Sequence, residues 1–296
     1  MDRFVAADAA IRAGHGVASL RALVAAGVGD NHVYRLTDSG LLVRLHHGVY
    51  GLAGWPRSAE FAARAAQAAG SEQAVVDGVT ALRLRQIDVV RYYRDEELAD
   101  EICDPAVARR RIRPGLTIHP GPLPDFQEVD GLRAVATSAA LLRLMRGDDR
   151  LRAVWAAEDA WRKRRLTPED LAQLRAALPV SRRPWVDAVD PRSESPLETW
   201  VRLCAADEEM ELEPQIEAEG YRMDLGIRAA RVGVECDGKT AHPWEDEPVA
   251  ADRIRERVLR AAGWDIIRVR WADMAKRRQW VMAEIRRTAA RRTRSA

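Results

Sequence analysis

Nowhere in the chain do on the order of eighteen apolar residues follow one another, so no membrane-spanning helix is expected. The first residues, Met1-Asp-Arg-Phe4, lack the basic-then-apolar pattern of a secretory leader. Only three cysteines occur, Cys103, Cys204 and Cys236. They are odd in number and far apart, which excludes both a disulfide framework and a zinc set. These absences together point to the cytoplasm. Internal repeats and low-complexity segments are also missing, which sets aside solenoids and disordered tracts.

What is present is a globular composition: 296 residues, 47% apolar and 31% charged, enough for two or three domains. Net charge is only +2, but it is unevenly spread. Residues 253 to 294 hold fourteen Arg/Lys against four Asp/Glu, leaving 33 basic and 41 acidic residues elsewhere. A basic end next to a carboxylate cluster suggests a polyanionic partner. For Arg286 to Arg294 alone, a solvated helical face is the stronger reading.

Residues 1–57 read as a helix-turn-helix with a β-wing. Ser19 can cap a helix bearing Leu20, Leu23 and Val24 that ends at Gly27. Asp30 or Asn31 can cap the next, His32 to Leu36, and Leu41 to Gly51 reads as two strands around a turn. In such a DNA-reading shape Asn31, His32, Tyr34 and Arg35 would face a groove, with Arg44, His46 and His47 beside phosphates. Six arginines against four acids in this segment is a weak basic bias, and a plain packing unit is the alternative. Residues 58–178 read as helices with a few short strands, and no catalytic set is visible there. His119 is isolated and reads as structural. The Pro- and Ser-containing stretch 179–194 reads as a linker.

The chemistry-bearing stretch lies in residues 195–296. Ser195-Pro-Leu-Glu198 opens a helix, with Glu198 in a capping-box position. Tyr221 to Ile227 and Val232 to Gly238 read as a hairpin joined by Arg228 to Ala230. Period-two alternation puts Val232, Val234 and Cys236 on one face and Glu235 and Asp237 on the other. With Asp224 on the neighbouring strand, three carboxylates gather at one sheet end, where a hard cation would offset their repulsion. Helix, three strands, helix, strand and helix give a mixed sheet covered on both faces. Each residue also has a structural reading. Asp237-Gly238 is an ordinary turn pair, Asp224 could bond Arg222 or Arg231, Arg253 could pair with Asp252 or Glu256, and His242 could pack in a loop.

As a linked set, Ser195-Pro-Leu-Glu198, Arg222-Met-Asp224, Val234-Glu-Cys-Asp-Gly238, His242, Asp252-Arg253 and Gly263-Trp264 leading to Arg268 resemble the PD-(D/E)xK nuclease superfamily, and within it the small Vsr-like group. Residues 8–145 resemble the AbiEi-type winged-helix region of type IV antitoxins through Gly48-Val-Tyr50 and Val129-Asp-Gly131 with Thr137-Ser138. The first resemblance implies an αβββαβ restriction-endonuclease-like domain that cleaves DNA with Mg²⁺ or Mn²⁺, and a homodimer would suit two-strand cleavage. Asp224, Glu235 and the Cys236 carbonyl would hold the metal, with Glu198 acting through water. Asp237 stands where the superfamily often has lysine, which leaves the general base open. His242 would be a proton carrier and Arg253 a phosphate clamp. The second resemblance implies a DNA-binding regulator, and with it a nuclease-like fold that no longer cuts.

Overall fold

The computed structural model describes residues 3–91, 97–237 and 246–295. The chain divides into two compact units, Met1–Val186 and Asp187–Ala296.

The first unit begins with α1 (Arg3–Ala13), β1 (Val17–Ser19), α2 (Leu20–Ala25), α3 (Asp30–Asp38), β2 (Leu42–His46) and β3 (Val49–Leu52). The three strands form an antiparallel sheet in the order β1-β3-β2. Ile11, Leu23, Val28, Val33 and Leu42 close a small core beneath it. Ser19 caps α2 by accepting the Ala22 N–H, as its sequence position suggests. For α3 the cap is Gly29, without a side-chain bond, and Asp30 and Asn31 lie inside the helix. Glycine can take the extended cap geometry, while Asp30 places its charge in the first turn, where the helix dipole favours it.

The same unit continues through α4 (Ala59–Ala68), β4 (Val75–Val76), α5 (Gly78–Leu84), β5 (Asp100–Cys103), β6 (Arg111–Arg113), β7 (Leu116–His119), β8 (Phe126–Val129), β9 (Leu132–Val135), α6 (Thr137–Met145), α7 (Arg150–Arg162) and α8 (Pro168–Ala177). Its strands make a six-stranded mixed sheet in the order β6-β7-β5-β4-β9-β8. This is more sheet than the sequence suggests, because several strands are only two to four residues long. Runs that short carry almost no periodicity. The 179–194 stretch, expected as a linker, carries a short helix, α9 (Arg183–Asp187), that buries Trp185 and Val186.

The second unit comprises α10 (Pro196–Asp207), β10 (Glu213–Ala218), β11 (Tyr221–Ile227), β12 (Val232–Asp237), α11 (Asp246–Ala261), β13 (Asp265–Arg270) and α12 (Trp271–Ser295). Its sheet runs β10-β11-β12-β13, with β12 and β13 parallel and the other pairs antiparallel. Leu197 and Val201 of α10 and Val281 and Ile285 of α12 pack on Leu225, Val234 and Ile267 of one face. Leu259 of α11 and Trp264 pack with Ile216 and Met223. Each fully buried aliphatic side chain contributes roughly 1.5–3 kcal/mol. On α11 Ile254 is 57% exposed while Leu259 is 1% exposed. The inward face runs instead through Arg255 and Leu259, one turn apart.

Trp271 starts α12 directly after β13, and α12 bends at Arg277, whose backbone leaves the helical region. The Arg270 N–H finds a side-chain acceptor in Asp273, which pins the strand-to-helix corner.

Candidate active site

Backbone pairing between β11 and β12 runs from Ile227–Val232 to Leu225–Val234. Past Val234, the pairs recorded for β12 are with β13 alone, Glu235 opposite Arg268 and Asp237 opposite Arg270. The two strands fork at this point. The Cys236 N–H, which would otherwise lack a partner on that side, donates to Asp224 Oδ2 at 2.7 Å. A carboxylate thus takes the place of a ladder carbonyl, because a half-buried amide needs an acceptor.

A second irregularity lies beside the fork. Leu225 packs with α10 and α12, but Met223, two residues before it, packs on the α11 side. Strict alternation would put both on one face. Gln215 lies between the recorded pairs Pro214–Leu225 and Ile216–Met223, opposite Asp224, and has φ of 54°. A non-glycine residue in the left-handed region costs about 1–3 kcal/mol and gathers at functional sites. The local turn redirects side chains, as bulges do. The Gln215 amide donates from Nε2 to Glu198 Oε2 at 2.9 Å.

Glu198 sits in the first turn of α10, only 4% exposed. Ser195 caps the helix by accepting the Glu198 N–H. The Glu198 carboxylate reaches beyond the capping residue and accepts the Glu194 N–H at 2.8 Å. Glu194 in turn pairs with Arg222 at 2.9 Å. The Ser195 half of the expected capping box is therefore present, while the Glu198 carboxylate accepts from the Glu194 N–H and from Gln215.

The electrostatics tie these groups together. Burial pushes the Glu198 carboxyl above its usual range, against its hydrogen bonds from Glu194, Ser195 and Gln215 and with the Asp224 charge adding to the rise. Asp224 is raised first by burial and further by Asp237 and Glu194, while the Cys236 N–H and Arg255 oppose. Glu235 is raised by burial and by Asp224, with Arg255 and Arg268 opposing. The Cys236 thiol rises well above its ordinary value through burial and the charges of Asp224, Glu198, Glu235 and Asp237. Glu198, Asp224, Glu235 and Asp237 therefore share one electrostatic neighbourhood.

They do not, however, form a ready metal cage. Among the described residues no group of three His, Cys, Asp or Glu side chains is close enough to hold an ion. Glu235 is instead paired with Arg255, whose guanidinium also donates to the Arg222 carbonyl at 2.7 Å. Arg253, expected as a phosphate clamp, is exposed on α11, and among the described residues the cation paired with Glu235 is Arg255. Arg255 takes the inward place because it stands one helical turn before the buried Leu259. That spacing was readable; Gln215 left no comparable mark in the sequence. His242 lies outside the described residues.

The N-terminal candidates separate into two groups. Asn31, Tyr34 and Arg35 lie on the outer face of α3, with Tyr34 72% exposed. His32 lies against the Arg3 guanidinium, and desolvation together with Arg3 and Arg35 lowers its pKa. Arg44 and His47 are exposed and bonded to one another at 2.7 Å. His46 differs: its side chain is only 8% exposed and faces Asp100 of β5 at 3.5 Å. Arg44 and His46 stand two residues apart, but a register shift between them interrupts the alternation, so His46 turns inward while Arg44 stays exposed. His119, read as structural, bonds Glu101 at 2.7 Å.

Comparison with known proteins places these two regions separately. Residues 198–288 match the family REase_MTES_1575, a restriction-endonuclease-like family. Residues 6–53 match a family described as a transcriptional regulator, AbiEi antitoxin. A solved structure titled Homing Endonuclease I-Bth0305I Catalytic Domain is similar at 13% identity, over 32% of this chain and 94% of that one, with a TM-score of 0.28. At that score it adds nothing to the family matches. No curated protein matches the chain. No helix among the described residues is long and apolar enough to cross a membrane.

Proposed function

We propose that residues 195–296 form a Vsr-like endonuclease of the PD-(D/E)xK type that hydrolyses phosphodiester bonds in DNA, directed by a winged helix-turn-helix within residues 1–57. The observation that carries this reading is the seat of Asp224 at the strand fork, on the Cys236 N–H, with Glu198 and Glu235 in its field and all three carboxyls raised by burial. It lies within a segment that matches a restriction-endonuclease-like family. Desolvated carboxylates in a shared field are costly as anions, and a bound cation offsets that cost.

The donor set is oxygen only and fits Mg²⁺ or Mn²⁺. Asp224, Glu235 and the Cys236 carbonyl would hold the ion, with Glu198 through water. Such an ion lowers the pKa of water and steadies the charge on a phosphate. The side chains supply the rest. Gln215 and the Glu194 N–H hold Glu198 in place. Arg255 neutralises Glu235 at rest and, once a cation takes over that task, is free to bind a phosphate oxygen. Asp237 and His242 remain candidates for handling the proton of the attacking water, and Arg253 for contact with the DNA backbone.

The test is nicking of supercoiled plasmid by the full chain with Mg²⁺, with Mn²⁺ and with EDTA, beside Asp224→Ala/Glu235→Ala. Metal-dependent nicking absent from the variant supports the nuclease. One observation favours a second reading: Glu235 already carries a cationic partner in Arg255. On that reading the chain is an AbiEi-type regulator with an inactive nuclease-like domain. It would show no cleavage with either metal and DNA affinity unchanged in the variant.

A further inference from the structure

The described structure of the first unit contains a cavity of about 400 Å³ where β2, the start of α4, α5 and β5 meet. Among the described residues its walls carry Arg44, Arg57, Arg83 and Arg91 beside Glu97 and Asp100. Among the described residues Arg83 is the one of these arginines near a carboxylate, 3.9 Å from Asp100. Arg44 bonds the His47 ring and Arg57 lies over the Phe61 ring at 4.9 Å. Among the described residues no carboxylate pairs with Arg44, Arg57 or Arg91.

Two further features carry the same sign. The first turn of α4 opens on the cavity, with Ser58 as its cap, so the positive end of a ten-residue helix contributes. His46 also lines the cavity, and its buried Nδ1 has no hydrogen-bond partner. A buried polar atom left unpaired costs about 1–3 kcal/mol, which a ligand oxygen or hydroxyl would relieve according to the ring tautomer.

We propose that this cavity binds a small phosphorylated ligand. Unpaired arginines, a helix N-terminus and an unsatisfied imidazole nitrogen in one concavity are the donor set of a phosphate site. A DNA backbone offers the same chemistry, but the floor argues for a small molecule. His46 and Asp100 side chains are only 8% and 13% exposed there. A rigid duplex does not reach groups that deep, and about 400 Å³ lies in the usual range for small-ligand pockets. The site joins β2 of the N-terminal three-stranded sheet to β5 of the six-stranded sheet, so its occupant ties the two together. The inference is independent of the nuclease reading.

The experiment is isothermal titration of the full-length chain with inorganic pyrophosphate and, separately, with ADP and with a short DNA duplex. The variants are Arg57→Gln/Arg91→Gln and, as a control in a different basic cavity, Arg110→Gln/Arg146→Gln. Arg57 and Arg91 are exposed, so the first variant keeps the fold, which its melting curve verifies. Expected is saturable binding of pyrophosphate or ADP to one site per chain. The affinity should fall about tenfold or more in Arg57→Gln/Arg91→Gln, as loss of charged hydrogen bonds implies, and stay unchanged in the control. No saturable binding at millimolar pyrophosphate or ADP overturns the proposal. So does loss in the control alone, or binding of the duplex that Arg57→Gln/Arg91→Gln weakens while neither small ligand binds.

Discussion

Replacing Arg255 with alanine removes the cation that pairs directly with Glu235 of the carboxylate cluster. Arg255 and Glu235 side chains are 22% and 12% exposed, so the pair is mostly withdrawn from water. Breaking a buried pair by removing one partner costs about 3–5 kcal/mol, because the other charge stays buried alone. Residual exposure of both groups screens that figure toward about 2–3 kcal/mol, and the Arg222 carbonyl also loses a donor. We therefore expect Arg255→Ala to lower the opening free energy of β11 and β12 by about 2–4 kcal/mol at neutral pH. The deficit depends on Glu235 being ionised. Its folded pKa is already above the ordinary 4.5, so the stability linked to its protonation is complete below 4.5 and is lost as pH rises through the raised value. Removing Arg255 moves the folded value higher still. The deficit therefore grows as pH rises through the raised values and shrinks toward 4.5. Hydrogen exchange on the full chain across that range reads the effect strand by strand. Arg255→Ala/Glu235→Gln should recover most of the loss. A cost below about 0.5 kcal/mol, or one that does not shrink on acidification, would refute the reasoning.

Three other outcomes are expected. Mn²⁺ or Mg²⁺ should raise the unfolding temperature of the second unit, by an amount equivalent to about 2.7 kcal/mol at a hundredfold excess over Kd. Asp224→Asn/Glu235→Gln should show no such rise in calorimetry. Glu198→Gln should make the metal-free chain more stable at neutral pH, since it removes a carboxylate raised by burial, and the gain should vanish in acid where Glu198 is protonated in both states. Denaturation as a function of pH measures it, and a gain that persists in acid would speak against a charge effect. Arg35→Ala on the outer face of α3 should weaken DNA binding. If Arg35 contacts a phosphate, the slope of log affinity against log salt should drop by about 0.9 whatever the sequence, and an unchanged slope would remove it from the phosphate contacts.

Much of the second unit was legible without coordinates. Tyr221 to Ile227 and Val232 to Asp237 alternate with period two, and Ser195-Pro196 is a strong helix start, so the elements bearing Asp224, Glu235 and Glu198 stood out. Local stereochemistry and side-chain periodicity act over a few residues and leave their record in order and spacing. The turn Gly27 and the Ser19 cap in the first unit are of the same kind.

Other features belong to contacts between segments distant in sequence. The pairing of Arg255 with Glu235 spans 20 positions and exists only once α11 lies beside the sheet. The turn of Gln215 toward Glu198 depends on a positive φ that no residue type announced. His46 read as a surface cation of the wing, yet packing against Asp100 buries it. The sequence by itself determined which segments become helix or strand and which side chains could take up charge or protons, because those choices rest on local backbone geometry. Only the tertiary structure decided which charges meet, which are desolvated and which are left unpaired, because burial and ion pairing depend on what the rest of the chain brings alongside.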